Sequence, residues 1–175
     1  MILHEKNLSD KPPHISLREI TKETVWDIIQ LEPTDDQKKF VASNAASIAE
    51  AYFQKDYAWF RGVYSNDRPV GFVMIGMNQK DEFCFLWRFM IDRNHQNKGL
   101  GSRAIVCILE YLKSHTNYKS IVTSYVQGVG DPSNFYKKMG FVEADESVRT
   151  TELGQHIAEG GEIPLQLKFR EGSTK

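Results

Sequence analysis

Gln96-Asn97-Lys98-Gly99-Leu100-Gly101-Ser102 is the segment of this chain best equipped for chemistry. It follows the apolar stretch Phe83 to Asp92 and opens the amphipathic stretch Ser102 to Leu112. A strand, a glycine-bearing turn and a helix start, in that order, make an anion cradle. The first N–H groups of a helix lack intrahelical partners, and the macrodipole adds partial positive charge at that end. Gly99 and Gly101 carry no Cβ, so a ligand can approach the backbone closely. The chemistry indicated is phosphate binding. The P-loop string G-x-x-x-x-G-K-[ST] does not occur, and the dinucleotide fingerprint matches only weakly, with Ala104 at its third small position. A glycine turn that merely caps a helix would use the same letters, so the rest of the chain must decide.

The loop reads Q-x-x-G-x-G, which resembles the acetyl-CoA loop of the GNAT acetyltransferases. Leu86-Trp87-Arg88-Phe89-Met90-Ile91-Asp92 resembles the strand before that loop, and Phe135-Tyr136-Lys137-Lys138-Met139-Gly140-Phe141 resembles the family's later Y-x-x-x-G-F segment. The interval of about forty residues between the two motifs holds a helix, a strand and a second helix, in the family's order. The resemblance spans roughly Val63 to Phe169. It implies an α/β (α+β) fold with a mixed, mostly antiparallel sheet of about seven strands, one splayed parallel pair and about four flanking helices. It also implies acetyl-CoA as cosubstrate. On that reading Gln96, Asn97, Lys98, Gly99, Leu100, Gly101 and Ser102 hold the pyrophosphate, Phe89, Met90 and Ile91 run along the pantetheine arm, and Asn134 touches the cofactor. Tyr136 takes the place of the family's proton-donating tyrosine. Pro132 stands where the family often has alanine, which leaves the contacts at that helix start open.

Acetyl transfer to an amine needs a held cofactor, a polarised carbonyl, a base for the amine and an acid for the thiolate. A phenol of ordinary pKa near 10 is a credible acid for that role. No base is evident. Trp87 and Arg88 stand where many relatives carry glutamate, Asp92 lies too near the loop, Glu82 lies toward the strand start, and a water-mediated base is equally tenable. Carboxylates at Glu32, Asp35 and Asp36, and at Glu152, Glu159 and Glu162, bracket the chain on either side of the motifs. Asp36, Glu162 and Trp87 are the substrate-contacting candidates. Residues 31–44, Gly128 to Phe141 and Gly161-Glu162-Ile163 resemble bacterial spermine/spermidine acetyltransferases. That implies a flexible polyamine held in an acidic cleft rimmed by Trp26, Tyr52 and Trp87 through charge and cation–π attraction. The alternatives are a protein or peptide amine, an amine-bearing antibiotic, or a non-catalytic acyl-CoA-binding module.

The 175 residues suit one domain, with 41% hydrophobic and 26% charged residues. A formal net charge of −1 and the absence of a long basic run argue against nucleic acid as a partner. No apolar stretch approaches the roughly 20 residues of a membrane span, and the polar start, with Glu5 and Asp10, is no signal peptide. A cytoplasmic enzyme is expected, with a homodimer possible for this fold. Cys84 and Cys107 read as buried reduced thiols, and no His/Cys spacing suggests a metal.

The supporting strands and helices can be read from periodicity. Residues 1–13 form a polar lead-in and residues 14–170 one acetyltransferase domain. Ile15 and Leu17 mark a first strand, and Thr24 to Gln30 a short helix. Pro33-Thr34-Asp35-Asp36 reads as the start of a helix running from Asp35 to Phe53. Trp59 to Tyr64 and Val70 to Met77 form a hairpin about Ser65–Pro69, Glu82 to Ile91 is a strand, and Gly101 to Thr116 a helix. Ser120 to Tyr125 is a strand, and a short helix capped by Asp131 or Ser133 ends at Gly140. The chain is expected to close with a strand from Phe141 to about Thr151, a polar hairpin tip at Gly154–Gly161, and a last strand at Ile163–Phe169.

Overall fold

Val70 to Ile75 is apolar at every position, so neither face of that segment can lie in water. It forms the middle of β3 (Arg68–Gly76), whose residues from Val70 onward are all buried. A computed structural model describes residues 12–169. The expected lead-in lies outside the described residues except at its last two positions, as does residue 170. β3 pairs antiparallel with β2 (Ala58–Ser65) through a tight turn at Asn66-Asp67, where Asn66 takes φ 54°. Asparagine tolerates that left-handed geometry. β1 (Ile15–Arg18) pairs with β2 at one edge, and β4 (Phe83–Ile91) pairs with β3 on the other side. β5 (Ser120–Tyr125) runs parallel to β4, then β7 (Ile163–Lys168) and β6 (Val142–Glu143) come next, both antiparallel to their neighbours. The sheet order is β1-β2-β3-β4-β5-β7-β6, the seven-stranded mixed sheet with one parallel pair that the sequence implies.

One face of the sheet is covered by α3 (Leu100–His115), which buries Leu100, Ala104, Ile105, Ile108 and Leu112. These pack with Val63, Val73, Ile75 and Leu86. Full burial of each large aliphatic side chain contributes about 1.5–3 kcal/mol. The opposite face is covered by α1 (Val25–Ile29) and α2 (Asn44–Tyr52), with Ile28 and Ala51 packed on Phe72, Met74 and Met90. α4 (Ser133–Lys138) lies between β5 and β6 in the chain.

Two expected elements differ. The helix expected at Asp35 begins at Asn44, capped by Ser43, whose Oγ accepts from Ala46 N at 3.2 Å. Residues 35–40 form turns, with Gln37 and Lys38 N–H groups donating to the Thr34 carbonyl. A serine in extended backbone is the stronger start signal, because its side chain satisfies an orphan amide. Asn44 strengthens this boundary: buried at 2% exposure, its Nδ2 donates to the Ile28 carbonyl at 2.8 Å and closes the end of α1.

The expected long strand and hairpin tip after Phe141 form instead the two-residue β6 and two helices, α5 (Glu146–Arg149) and α6 (Glu152–Glu159). That gives six α-helices among the described residues where about four were expected. The caps explain the difference. Asp145 accepts from Ser147 N at 3.0 Å and Thr151 Oγ1 accepts from Gly154 N at 3.1 Å. Val148 and Ile157 then bury against Phe83, Phe85 and Val122. Gly154 permits the tight approach of α6 to α5, since a Cβ there would lie 2.2 Å from the Val148 carbonyl oxygen and 2.8 Å from Arg149 Cα. Backbone atoms cannot yield as a side-chain tip can. Gly154→Ala should therefore cost roughly 1–3 kcal/mol and lower Tm by roughly 3–10 °C. The exposed Gln155→Ala should leave Tm within about 2 °C. Equal Tm values for both variants in a thermal melt would contradict the tight helix pair.

Candidate active site

The parallel ladder between β4 and β5 lasts three partners, ending at Phe85 opposite Val122. Thr123 Oγ1 then donates to the Leu86 carbonyl at 3.2 Å, after which β4 continues to Ile91 without a β5 partner. A cavity of about 530 Å³ occupies this region. One side is β4 from Leu86 to Ile91, and another is Thr123, Ser124, Gly130 to Pro132, Phe135, Tyr136 and Lys138. Pro33, Gln37, Phe40 and Val41 close it from the segment before α2, and Gln96, Asn97, Gly99, Gly101 and Ser102 bring in the start of α3. Carboxyl ends of parallel strands are where such sheets hold ligands.

Of the residues singled out from the sequence, Phe89, Met90, Ile91, Gln96, Asn97, Gly99, Gly101, Ser102, Tyr136 and Trp87 line this cavity. Lys98, Leu100, Asn134, Asp36 and Glu162 do not. Leu100 is 5% exposed and packs in the core, whereas Asn134 is exposed on α4. Lys98 Nζ donates to the Asn94 carbonyl at 2.7 Å and braces its own turn. Trp26 and Tyr52, expected on the rim with Trp87, are 67% and 63% exposed and stand outside the lining.

The glycine turn before α3 has the expected backbone. Asn97 has φ 60° and Gly99 φ 73°, and a Cβ at Gly99 would meet nothing within 4 Å. Glycine is required there by conformation, and the space above the turn is open. Among the described residues the N–H groups of Leu100, Gly101 and Ser102 have no protein acceptor. Open space and unpartnered amides at a helix start fit a pyrophosphate. Gln96 is also tied into the protein. Its Nε2 donates to Gln37 Oε1 at 2.8 Å and to the Ile91 carbonyl at 2.9 Å, tying the loop to β4 and to the segment before α2.

Asp92 anchors the same junction. It is 6% exposed and accepts from the N–H groups of Glu32 and Asn94 and from His95 Nδ1. Burial pushes its carboxyl up, yet these donors together hold it below the usual range. The acids expected to meet substrate near Asp36 are partly spoken for. Glu32 pairs with Lys38 at 2.9 Å and with Arg93, and Asp35 pairs with Lys38 at 3.0 Å. Lys38 first, then Arg93, holds both carboxyls below their usual range. Asp36 stays exposed, its Oδ2 3.5 Å from where a Cβ on Gly130 would lie.

An extra residue in β4 shapes the other side. Met74 opposes Arg88 and Ile75 opposes Leu86, so Trp87 is bulged. Trp87 and Arg88 therefore share the α2 side of the sheet, where Arg88 Nη2 meets Glu50 at 3.2 Å. Tyr136 is 6% exposed and packs edge-on against Phe135 and Phe141, each with ring centroids 5.3 Å away. Burial pushes its phenol up to about 12, with a hydrogen bond to the Thr123 side chain opposing. Burial likewise pushes the Cys84 thiol up to about 12, and neither Cys84 nor Cys107 lines the cavity, so no thiol stands ready as a nucleophile. Ser124, Gln37 and Phe135 escaped sequence reasoning. The available signal for Ser124 was its place at the carboxyl end of the parallel strand.

The acetyltransferase (GNAT) family model matches residues 22–141. A spermine/spermidine N(1)-acetyltransferase of Bacillus subtilis (strain 168) is 24% identical over 135 residues, covering 73% of this chain and 87% of that protein. The fold is similar to PaiA N-acetyltransferase from Thermoplasma acidophilum, solved in complex with coenzyme A (TM-score 0.62, 17% identity, 89% of this chain and 99% of that chain). It is also similar to spermidine N-acetyltransferase from Vibrio cholerae, solved with coenzyme A and spermine (TM-score 0.63, 16% identity, 88% and 95%). With the glycine turn, the parted parallel strands and the buried tyrosine around one cavity, this chain belongs to the GNAT family of acetyltransferases.

Proposed function

We propose that this enzyme transfers the acetyl group of acetyl-CoA directly to a primary amine of a small polyamine such as spermine or spermidine. The observation that carries the reading is the single cavity joining the unpartnered amides of α3 to the open side of β4 and to Tyr136. Bound there, acetyl-CoA supplies the activated thioester. Leu100, Gly101 and Ser102 N–H groups would face its pyrophosphate, and Phe89 to Ile91 its pantetheine arm. Asn134 and Lys98 stand outside the cavity and would at most meet the cofactor at its exposed end.

Asp36 at the Gly130 lip supplies negative charge for a cationic acceptor, and Trp87 on β4 lines the same cavity. Arg88 and Lys138 are the opposing charges in the cavity lining, and Glu50 offsets the first. The polyamine-acetylating relatives in Bacillus and Vibrio support this substrate class. Absence of a cavity-lining thiol favours direct transfer with sequential kinetics.

Tyr136 donates to the departing sulfur. A phenol held to about 12 keeps its proton throughout the working range. Giving it to a thiolate of ordinary basicity is uphill by roughly 3.5 pK units, about 5 kcal/mol. That cost fits within the roughly 16 kcal/mol barrier of a typical turnover near 10 s⁻¹. Tyr136→Phe should lower kcat about 100-fold or more while acetyl-CoA affinity changes by less than about twofold. Undiminished turnover in a thiol-release assay would remove Tyr136 from the mechanism. Because the raised pKa keeps the phenol protonated, the rate should climb toward the alkylammonium pKa of about 10 without an alkaline fall below it. A descending limb near pH 8 or 9, absent in Tyr136→Phe, would contradict the buried, protonated state. Across a panel of spermine, spermidine, putrescine, lysine peptides and an aminoglycoside, thiol release should be confined to the polyamines. Release with a lysine peptide alone would overturn the substrate class and leave the chemistry standing.

A further inference from the structure

The proposed transfer still lacks a group to take the proton from the attacking amine. Most carboxylates around the cavity are committed elsewhere. Glu32 and Asp35 pair with Lys38 and Arg93, and Glu50 pairs with Arg88. Asp131 accepts from the Gly128 and Ser133 N–H groups at 3.0 and 2.9 Å. Glu162 differs. Among the described residues it forms no ion pair, and its Oε2 accepts a hydrogen bond from the Ser124 hydroxyl.

Ser124 is itself part of the cavity wall, one residue beyond Thr123, which makes the last tie across to β4. Glu162 is positioned by two independent restraints. Its N–H donates to the Ile157 carbonyl at 3.0 Å at the end of α6, and the β5–β7 ladder ends at Tyr125 opposite Ile163, the next residue. The carboxylate is half-buried and reaches the cavity through one hydroxyl.

We propose that Ser124 and Glu162 form the proton relay of this enzyme, Ser124 being the group that meets the amine. The inference rests on the acetyl-transfer reading. As the amine nitrogen forms its bond to the thioester carbon, an N–H proton passes to Ser124 Oγ, and the Ser124 proton passes to the Glu162 carboxylate. The C–S bond breaks with its electron pair on sulfur, which takes the Tyr136 proton. Glu162 then releases its proton to water and Tyr136 regains one. Starting from an ammonium, one net proton leaves per amide formed.

The test is steady-state kinetics of Ser124→Ala, Glu162→Gln and the double variant, with acetyl-CoA and whichever amine the wild type turns over fastest. Each single variant should lower kcat about 100-fold with KM changed less than about threefold, and the double variant should fall no further than the worse single, because the groups act in series. Glu162→Asp should recover part of kcat, and Glu159→Gln, an exposed charge change on α6, should match the wild type. A higher KM with unchanged kcat in Glu162→Gln would reduce Glu162 to an ammonium anchor and overturn the relay. Multiplying losses in the double variant would also overturn it. Wild-type protein that binds acetyl-CoA but acetylates no amine would overturn the transfer reading, and the relay with it.

Discussion

Every feature of the cavity hinges on the parting of β4 from β5. Parallel strands at the centre of a sheet normally satisfy each other's backbone along their length, because an unpaired buried N–H or C=O is costly. Here pairing stops after Phe85 and Val122, and the side chain of Thr123 makes the last connection. The remainder of β4, from Arg88 to Ile91, is paired with β3 on one side and open on the other. The sheet thereby exchanges part of its own cohesion for a binding edge. That exchange is tolerable because β3 is buried throughout its centre and β7 pairs with the whole of β5, so each parted strand keeps one complete neighbour.

The opening is held by polar braces. Gln96 links the glycine turn to the Ile91 carbonyl and to Gln37, and Asp92 gathers the amides of Glu32 and Asn94. Arg93 and Lys38 then bind Glu32 and Asp35 above the same junction. The exposed ion pairs contribute little to stability individually. Their effect is positional, because they occupy acids that would otherwise be free to meet a cationic ligand. The buried Asp92 is a different case, with donors on both carboxylate oxygens compensating its burial.

Most of the sheet was legible from apolar patterns and turn residues, as the apolar run Val70 to Ile75 in β3 and the Asn66-Asp67 hairpin illustrate. The two failures share a physical origin. In residues 35–53 the apolar spacing of Phe40 and Val41 matched a helix, but those side chains line the cavity, and helix formation waits for the Ser43 cap. In residues 144–161, glycine suggested a hairpin tip, whereas Asp145 and Thr151 each start a helix too short to show a periodic face. Such helices owe their existence to burying Val148 and Ile157 against distant strands, and local propensity does not encode that burial.

The candidate site divides along the same line. The glycine turn, the helix start and the Tyr136 segment are contiguous motifs, and local geometry is set by local sequence: positive φ needs glycine or asparagine, and a helix start leaves its own amides free. The order of residues alone was therefore enough for the glycine turn at the start of α3, the family and acetyl-CoA as cosubstrate. Folding in three dimensions settled which carboxylates remain free, that Gln96 is a brace, that a bulge turns Trp87 and Arg88 to one side, and that Glu162 reaches the cavity through Ser124. The Glu32–Asp92, Glu50–Arg88, Gln37–Gln96 and Ser124–Glu162 contacts among them join residues 38 to 60 positions apart along the chain. They form only when the sheet brings distant segments together.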